Sequence, residues 1–81
     1  MEERLIAFVE TAIREFLDKH PNSADTLEGI HRWWIRWPGP AELPVITQIA
    51  LKHLESAGEV ESFKIGNNIL WRRSRALSPM V

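Results

Sequence analysis

The sequence predicts a small α+β domain, three helices followed by a two-stranded β-hairpin. Two hydrophobic periods and one turn carry that expectation. Apolar residues recur at spacings of three and four through residues 2–19, 26–36 and 44–57, the helical period. Residues 59–73 instead alternate apolar with polar side chains around "GNN", the period of paired strands about a tight turn. With 81 residues the chain has room for one domain, 1–81, which buries only about 60% of its unfolded surface, so each large apolar residue matters.

In the first run, "EERLIAFVETAIREFLDKH", Leu5, Val9, Ala12, Ile13 and Phe16 form an apolar stripe that Leu17 widens. Acids lie toward its start, Lys19 and His20 toward its end, as the helix dipole prefers, and Pro21-Asn22 stops it. In the second, Asp25 and Glu28 have the spacing of a capping box ahead of Leu27, Ile30 and Trp34. Gly29 inside that run implies a close neighbour, and Pro38 ends the helix near Arg36. The third begins with Pro44 at its first position, carries Ile46, Ala50, Leu54 and Ala57 on one stripe, and stops at Gly58 in the left-handed region.

For the hairpin, a three-residue loop Gly66-Asn67-Asn68 pairs Ile65 with Ile69, Phe63 with Trp71, and Glu61 with Arg73. That register gathers four large apolar side chains on one inner face and sends Lys64 and Arg72 together to the outer one. It also requires Asn68 to adopt a left-handed conformation, which asparagine tolerates. The tail from residue 74 to 81 reads as frayed.

Composition excludes several classes. The chain has no cysteine, hence no disulfide framework and no thiolate metal site. It has no apolar run near the roughly 20 residues of a membrane span, and its acidic start has the wrong sign for a leader peptide, so a cytoplasmic protein is expected. Net charge is −1, divided as −4 over residues 1–30 and +3 over residues 31–81. From Ser62 onward there are four bases and no acid. Such polarity can mark a binding face or a merely solvated one.

The string "ALKHLESAGEVESFKIGNNILWRR", residues 50–73, resembles the end of the recognition helix, the glycine break and the wing of bacterial winged helix-turn-helix regulators. That resemblance implies a winged-helix fold with Pro44 to Ser56 as the helix that enters the major groove and Lys64 to Arg73 as the wing. It implies duplex DNA as partner, with Thr47 and Gln48 reaching base edges and Lys52, Lys64, Arg72, Arg73 and Arg75 on phosphate. The helix start "PVITQI" departs from the family pattern, because Val45, Ile46 and Ile49 cannot hydrogen-bond to a base.

A second function class comes from the tryptophans, four in 81 residues. Trp34 and Trp71 belong to the core by position. Trp33 and Trp37, spaced i, i+4 off the main stripe beside Arg32 and Arg36, have the composition of a protein-interface hot spot unless the loop "WPGPAELP" covers them. Val45 and Ile49 extend that surface if they are exposed. The alternative to a DNA-binding module is therefore a protein-interaction module, a homodimer or an accessory subunit. Glu28 and His31 have the i, i+3 spacing of a di-metal ligand pair, but one copy of that motif does not make such a site. No nucleophile elbow or phosphate loop occurs, and a fold this small leaves little room for a pocket of about 300 Å³ or more. No enzyme activity, cofactor or small-molecule substrate is expected.

Overall fold

Helix α1 (Glu3–Lys19) turns Ile6, Val9, Ile13 and Leu17 inward, and these meet the buried face of helix α3 (Pro44–Ser56). The computed structural model describes residues 3–75. Between the two long helices run strand β1 (Ala24–Thr26), one turn of helix α2 (Leu27–Gly29) and a π-helical segment, Ile30–Trp34. Strands β2 (Val60–Ile65) and β3 (Asn68–Arg73) follow α3. The protein is thus α+β, with a three-stranded antiparallel sheet in the order β1-β3-β2. Among the described residues no helix is long and apolar enough to cross a membrane.

The third strand corrects the expected two-stranded hairpin. Ala24, Asp25 and Thr26 pair with Arg72, Trp71 and Leu70, so the second helical region starts one residue later than expected, and its N-cap is Thr26 rather than Asp25. The Thr26 hydroxyl accepts from the Gly29 amide at 3.2 Å, and the Asp25 carboxylate accepts from the Thr26 amide at 2.8 Å. A Cβ on Gly29 would overlap that carboxylate, which is the close neighbour the glycine implied. The helix also ends early: Ile35 is extended, at φ −111° and ψ 127°. The π-helical turn sends Ile30, His31 and Trp34 inward and leaves Arg32 and Trp33 outside.

Helix α3 ends before Gly58, whose φ of 78° makes it the left-handed stop the sequence requires. Its buried set is Ile46, Thr47, Ala50, Leu51 and Leu54, with Ala57 exposed rather than on the core stripe. Core side chains such as Ile13, Ile30, Leu51 and Leu54 are sealed from solvent, each worth about 1.5–3 kcal/mol in apolar burial.

The hairpin register differs from the expected one. The turn has two residues, Gly66 and Asn67, and Ile65 pairs with Asn68, Phe63 with Leu70, Ser62 with Trp71 and Glu61 with Arg72. Gly66 supplies the left-handed step at φ 61°, and no asparagine adopts one, so the turn has the type II′ arrangement. One residue of slip reverses the faces. Val60, Ser62, Lys64, Ile69, Trp71 and Arg73 share the face toward the helices, and Glu61, Phe63, Ile65, Leu70 and Arg72 share the other. Phe63, Ile65, Ile69 and Trp71 therefore do not point inward together. Of the four only Trp71 is buried, while Ile65 and Ile69 are more than half exposed. The physical reason is the turn: left-handed Gly66 closes a two-residue loop, one residue shorter than expected, and every pairing shifts by one, so only Val60 and Trp71 are covered by the helices while Phe63 and Leu70 lie half-buried on the other face.

Ser74 is buried and its amide donates to the Glu59 carbonyl at 3.0 Å, so the start of the expected frayed tail is held. The rest of that tail lies outside the described residues.

Candidate functional site

The expected DNA-contacting residues are not brought to one surface. Thr47 is fully buried, and its hydroxyl lies 2.6 Å from Nδ1 of buried His31. The other ring nitrogen, Nε2, lies 2.6 Å from the Glu42 carbonyl oxygen. A carbonyl only accepts, so Nε2 carries the hydrogen, and in the neutral ring the Thr47 hydroxyl donates to Nδ1. This chain of bonds ties the π-helical segment to α3 and to the loop before it. It removes Thr47 from any role in base contact, and His31 from pairing with Glu28 as a ligand. Among the described residues no group of three or more histidine, aspartate or glutamate side chains could hold a metal ion.

Gln48 and Lys52 do lie on the exposed side of α3, with Val45 one turn ahead. Lys52 is 3.6 Å from Glu55 and its ammonium sits 5.7 Å from the centre of the Trp71 ring. On the hairpin, Lys64 and Arg72 fall on opposite faces because of the register, so the expected common basic ridge does not form. Arg72 is half-buried, 2.8 Å from Glu61 and 4.2 Å above the Phe63 ring, where it covers an aromatic side chain that its own face leaves uncovered. Hydrogen bonding to Arg72 holds the Glu61 carboxyl below its usual range. Arg73 turns toward the helices, at the edge of a hollow floored by Ile13, Leu17, Leu54 and Val60. Arg75 is exposed, and its amide donates weakly to Glu61 at 3.4 Å.

The tryptophans behave differently from one another. Trp34 and Trp71 are buried, as their positions imply, and Phe16 stacks on Trp34 with centroids 4.4 Å apart. Trp33 and Trp37 do not form an i, i+4 pair, because the helical segment ends at Trp34. Trp37 folds back, half-buried, donating its indole hydrogen to the His31 carbonyl at 2.8 Å and lying 6.0 Å from the Phe8 ring. Trp33 remains 76% exposed. Ile49 is half-buried against the core, whereas Val45 and, beside it, Leu43 are exposed.

Two hollows adjoin along α1, with Phe8 as their shared wall. One, about 440 Å³, lies between α1 and the π-helical segment, lined by Ala12, Phe16, Trp33 and Trp34 and edged by Lys19 and Arg36. The other, about 370 Å³, lies between Leu5, Trp37, Pro38 and Pro40. Both exceed the size expected of so small a fold. Phe8 was missed from sequence because it sits beside the main α1 stripe. The available signal was an aromatic residue on the polar margin of an amphipathic helix. Leu43 was missed inside a loop read only as a connector.

Compared with protein-family models, curated proteins and solved structures, the chain has no match.

Proposed function

We propose that this protein is a non-catalytic protein-interaction module whose docking surface is the aromatic margin around Trp33 and Phe8. The observation that carries the reading is the two adjoining hollows sharing an exposed Phe8, with Trp33 standing 76% exposed at the rim of the larger. Apolar surface of this kind, contiguous and rimmed by charge, is what a partner covers in a docking site, and tryptophan and arginine dominate such contacts. Leu43 and Val45 add a second exposed apolar pair at the start of α3. The test compares the proteins retained from a lysate of the source cells by the immobilised chain and by its Trp33→Ala variant. A partner set lost with Trp33 but kept by Lys64→Glu supports the docking surface. The same set on both baits removes it.

A second reading follows from the resemblance to winged helix-turn-helix regulators, with which three helices and a terminal hairpin are compatible. Gln48 and Lys52, one turn apart on the exposed side of α3, favour it, together with Lys64 on the sheet face turned toward that helix. In this reading Gln48 contacts a base edge, while Lys52, Lys64, Arg73 and Arg75 contact phosphates of duplex DNA. Its weight is lowered by the loss of Thr47 to the interior and of Arg72 to its pairing with Glu61 and Phe63.

A further inference from the structure

We propose that the hollow between α1 and Trp33 receives a short acidic segment of a partner protein, in which a large apolar side chain is flanked by aspartate or glutamate. The inference rests on the docking reading above and adds the chemistry of the occupant.

The floor sets the anchor. Phe16 and Trp34 both line the hollow and stack on each other, at 13° and 4.4 Å, which makes an aromatic pair its apolar base. Phe8 and Trp33 stand as walls, respectively 41% and 76% exposed. A leucine, phenylalanine or methionine side chain entering between them exchanges water for aromatic surface, which is how a hot spot works.

The rim sets the charge. Lys19 and Arg36 both line the hollow and both are exposed. Among the described residues neither takes part in an ion pair, whereas Arg14, Lys52 and Arg72 are each bonded to an acid of the protein itself. Arg32, next to Trp33, is exposed too and also forms no such pair. Glu15 is the one acid on the lining, so two cations face one acid and an excess of positive charge surrounds the aromatic floor. A basic segment would bring like charge against Lys19 and Arg36. An acidic segment satisfies both cations while its anchor fills the floor, giving attraction at long range and burial at short range.

A display library of random short peptides, selected in parallel on the immobilised full chain, on Trp33→Ala and on Lys19→Glu/Arg36→Glu, tests this. The substitutions fall on exposed side chains, and the unfolding transition of each variant confirms that it remains folded. Peptides enriched on the native chain are expected to carry net negative charge around one large apolar residue. In solution, fluorescence anisotropy should show about tenfold or greater loss of affinity on either variant. Enriched peptides that lose binding on Trp33→Ala but show no acidic bias overturn the acidic partner and leave the docking surface standing. Binding indifferent to Trp33→Ala, or no enrichment above the bare support, overturns both. A dimer seen by light scattering and dissolved by Trp33→Ala assigns the hollow to a second copy of the chain and overturns the peptide.

Discussion

Trp33 and Trp34 are neighbours in the chain and opposites in environment, and the molecule divides along the same line. On one side is a packed seam where the π-helical segment, α3 and the base of the hairpin meet, holding Trp34, Trp71, Val60 and the His31–Thr47 bond. On the other is a margin of exposed apolar residues: Phe8, Trp33, Leu43, and Ile65 and Ile69 at the hairpin tip. The seam keeps the fold together. The margin has little to lose when the chain unfolds, so its apolar surface is available for contacts outside the molecule.

The largest effect expected from that division is at Trp71. Trp71→Ala should cost about 3–5 kcal/mol in denaturant unfolding, since it empties the side-chain volume that joins sheet to helices. For a marginal 81-residue domain that is a large part of the total stability. Ile69, two residues away on the same face but 55% exposed, sets the contrast: Ile69→Ser should stay within about 0.5 kcal/mol. Equal costs at the two positions would break the comparison.

Thr47→Val probes the seam at its polar point. It keeps the shape but leaves Nδ1 of buried His31 without its hydrogen-bond partner, an expected loss of about 1–3 kcal/mol by the same measurement. Gly66→Ala sharpens the boundary from the other side. It forces a left-handed backbone at φ 61° on a residue with a Cβ, at a cost of about 1–2 kcal/mol, and open space around Gly66 means that no steric clash adds to it.

The smallest effect is electrostatic. Arg14 donates to both Glu59 oxygens, at 2.6 and 2.8 Å, linking α1 to the start of β2. This bonding holds the Glu59 carboxyl below its usual range and raises Arg14. Because the native carboxyl is lowered, its contribution is present above the unfolded value of about 4.3 and is lost as pH falls through the native one. The pair is largely exposed, so it is worth about 0–1 kcal/mol. Glu59→Gln should remove that part of the acid dependence, measured as unfolding free energy against pH, and change little else.

The second helical region, expected to run to Arg36, is one α-helical turn and a π-helical segment ending at Trp34, whereas helices α1 and α3 were legible in the sequence because a helical period repeats over several turns and the stops at Pro21 and Gly58 are local. Strand β1 was not, since three residues, Ala24–Thr26, are too few to show a period. The register was not legible either, because "GNN" fits a two-residue as well as a three-residue loop, and Ile65 and Ile69, which favoured the longer one, are more than half exposed. Assigning all four large apolar residues of the hairpin to the covered face drove the register off by one and joined Lys64 to Arg72 in a basic ridge that the structure separates. Thr47 was similarly misplaced. Its hydroxyl looked like a base contact, whereas the donor that His31 needs sits sixteen residues away in sequence. Of the residues expected at a protein interface, Trp33 and Val45 are exposed, as apolar positions off the core stripe imply, while Trp37 and Ile49 are drawn partly into the core by contacts that no local pattern announces.

The most direct comparison between the surface around Trp33 and the cations of the hairpin is a titration of duplex DNA with the native chain, read by fluorescence anisotropy across a salt series from about 50 mM upward. On the proposed docking reading, and with the hairpin cations divided between two faces, no rise in anisotropy is expected at micromolar protein even at the lowest salt. Tight binding that weakens steeply with salt and disappears in Lys64→Glu/Arg75→Glu, while surviving in Trp33→Ala, would contradict it and return the molecule to the winged-helix DNA reading.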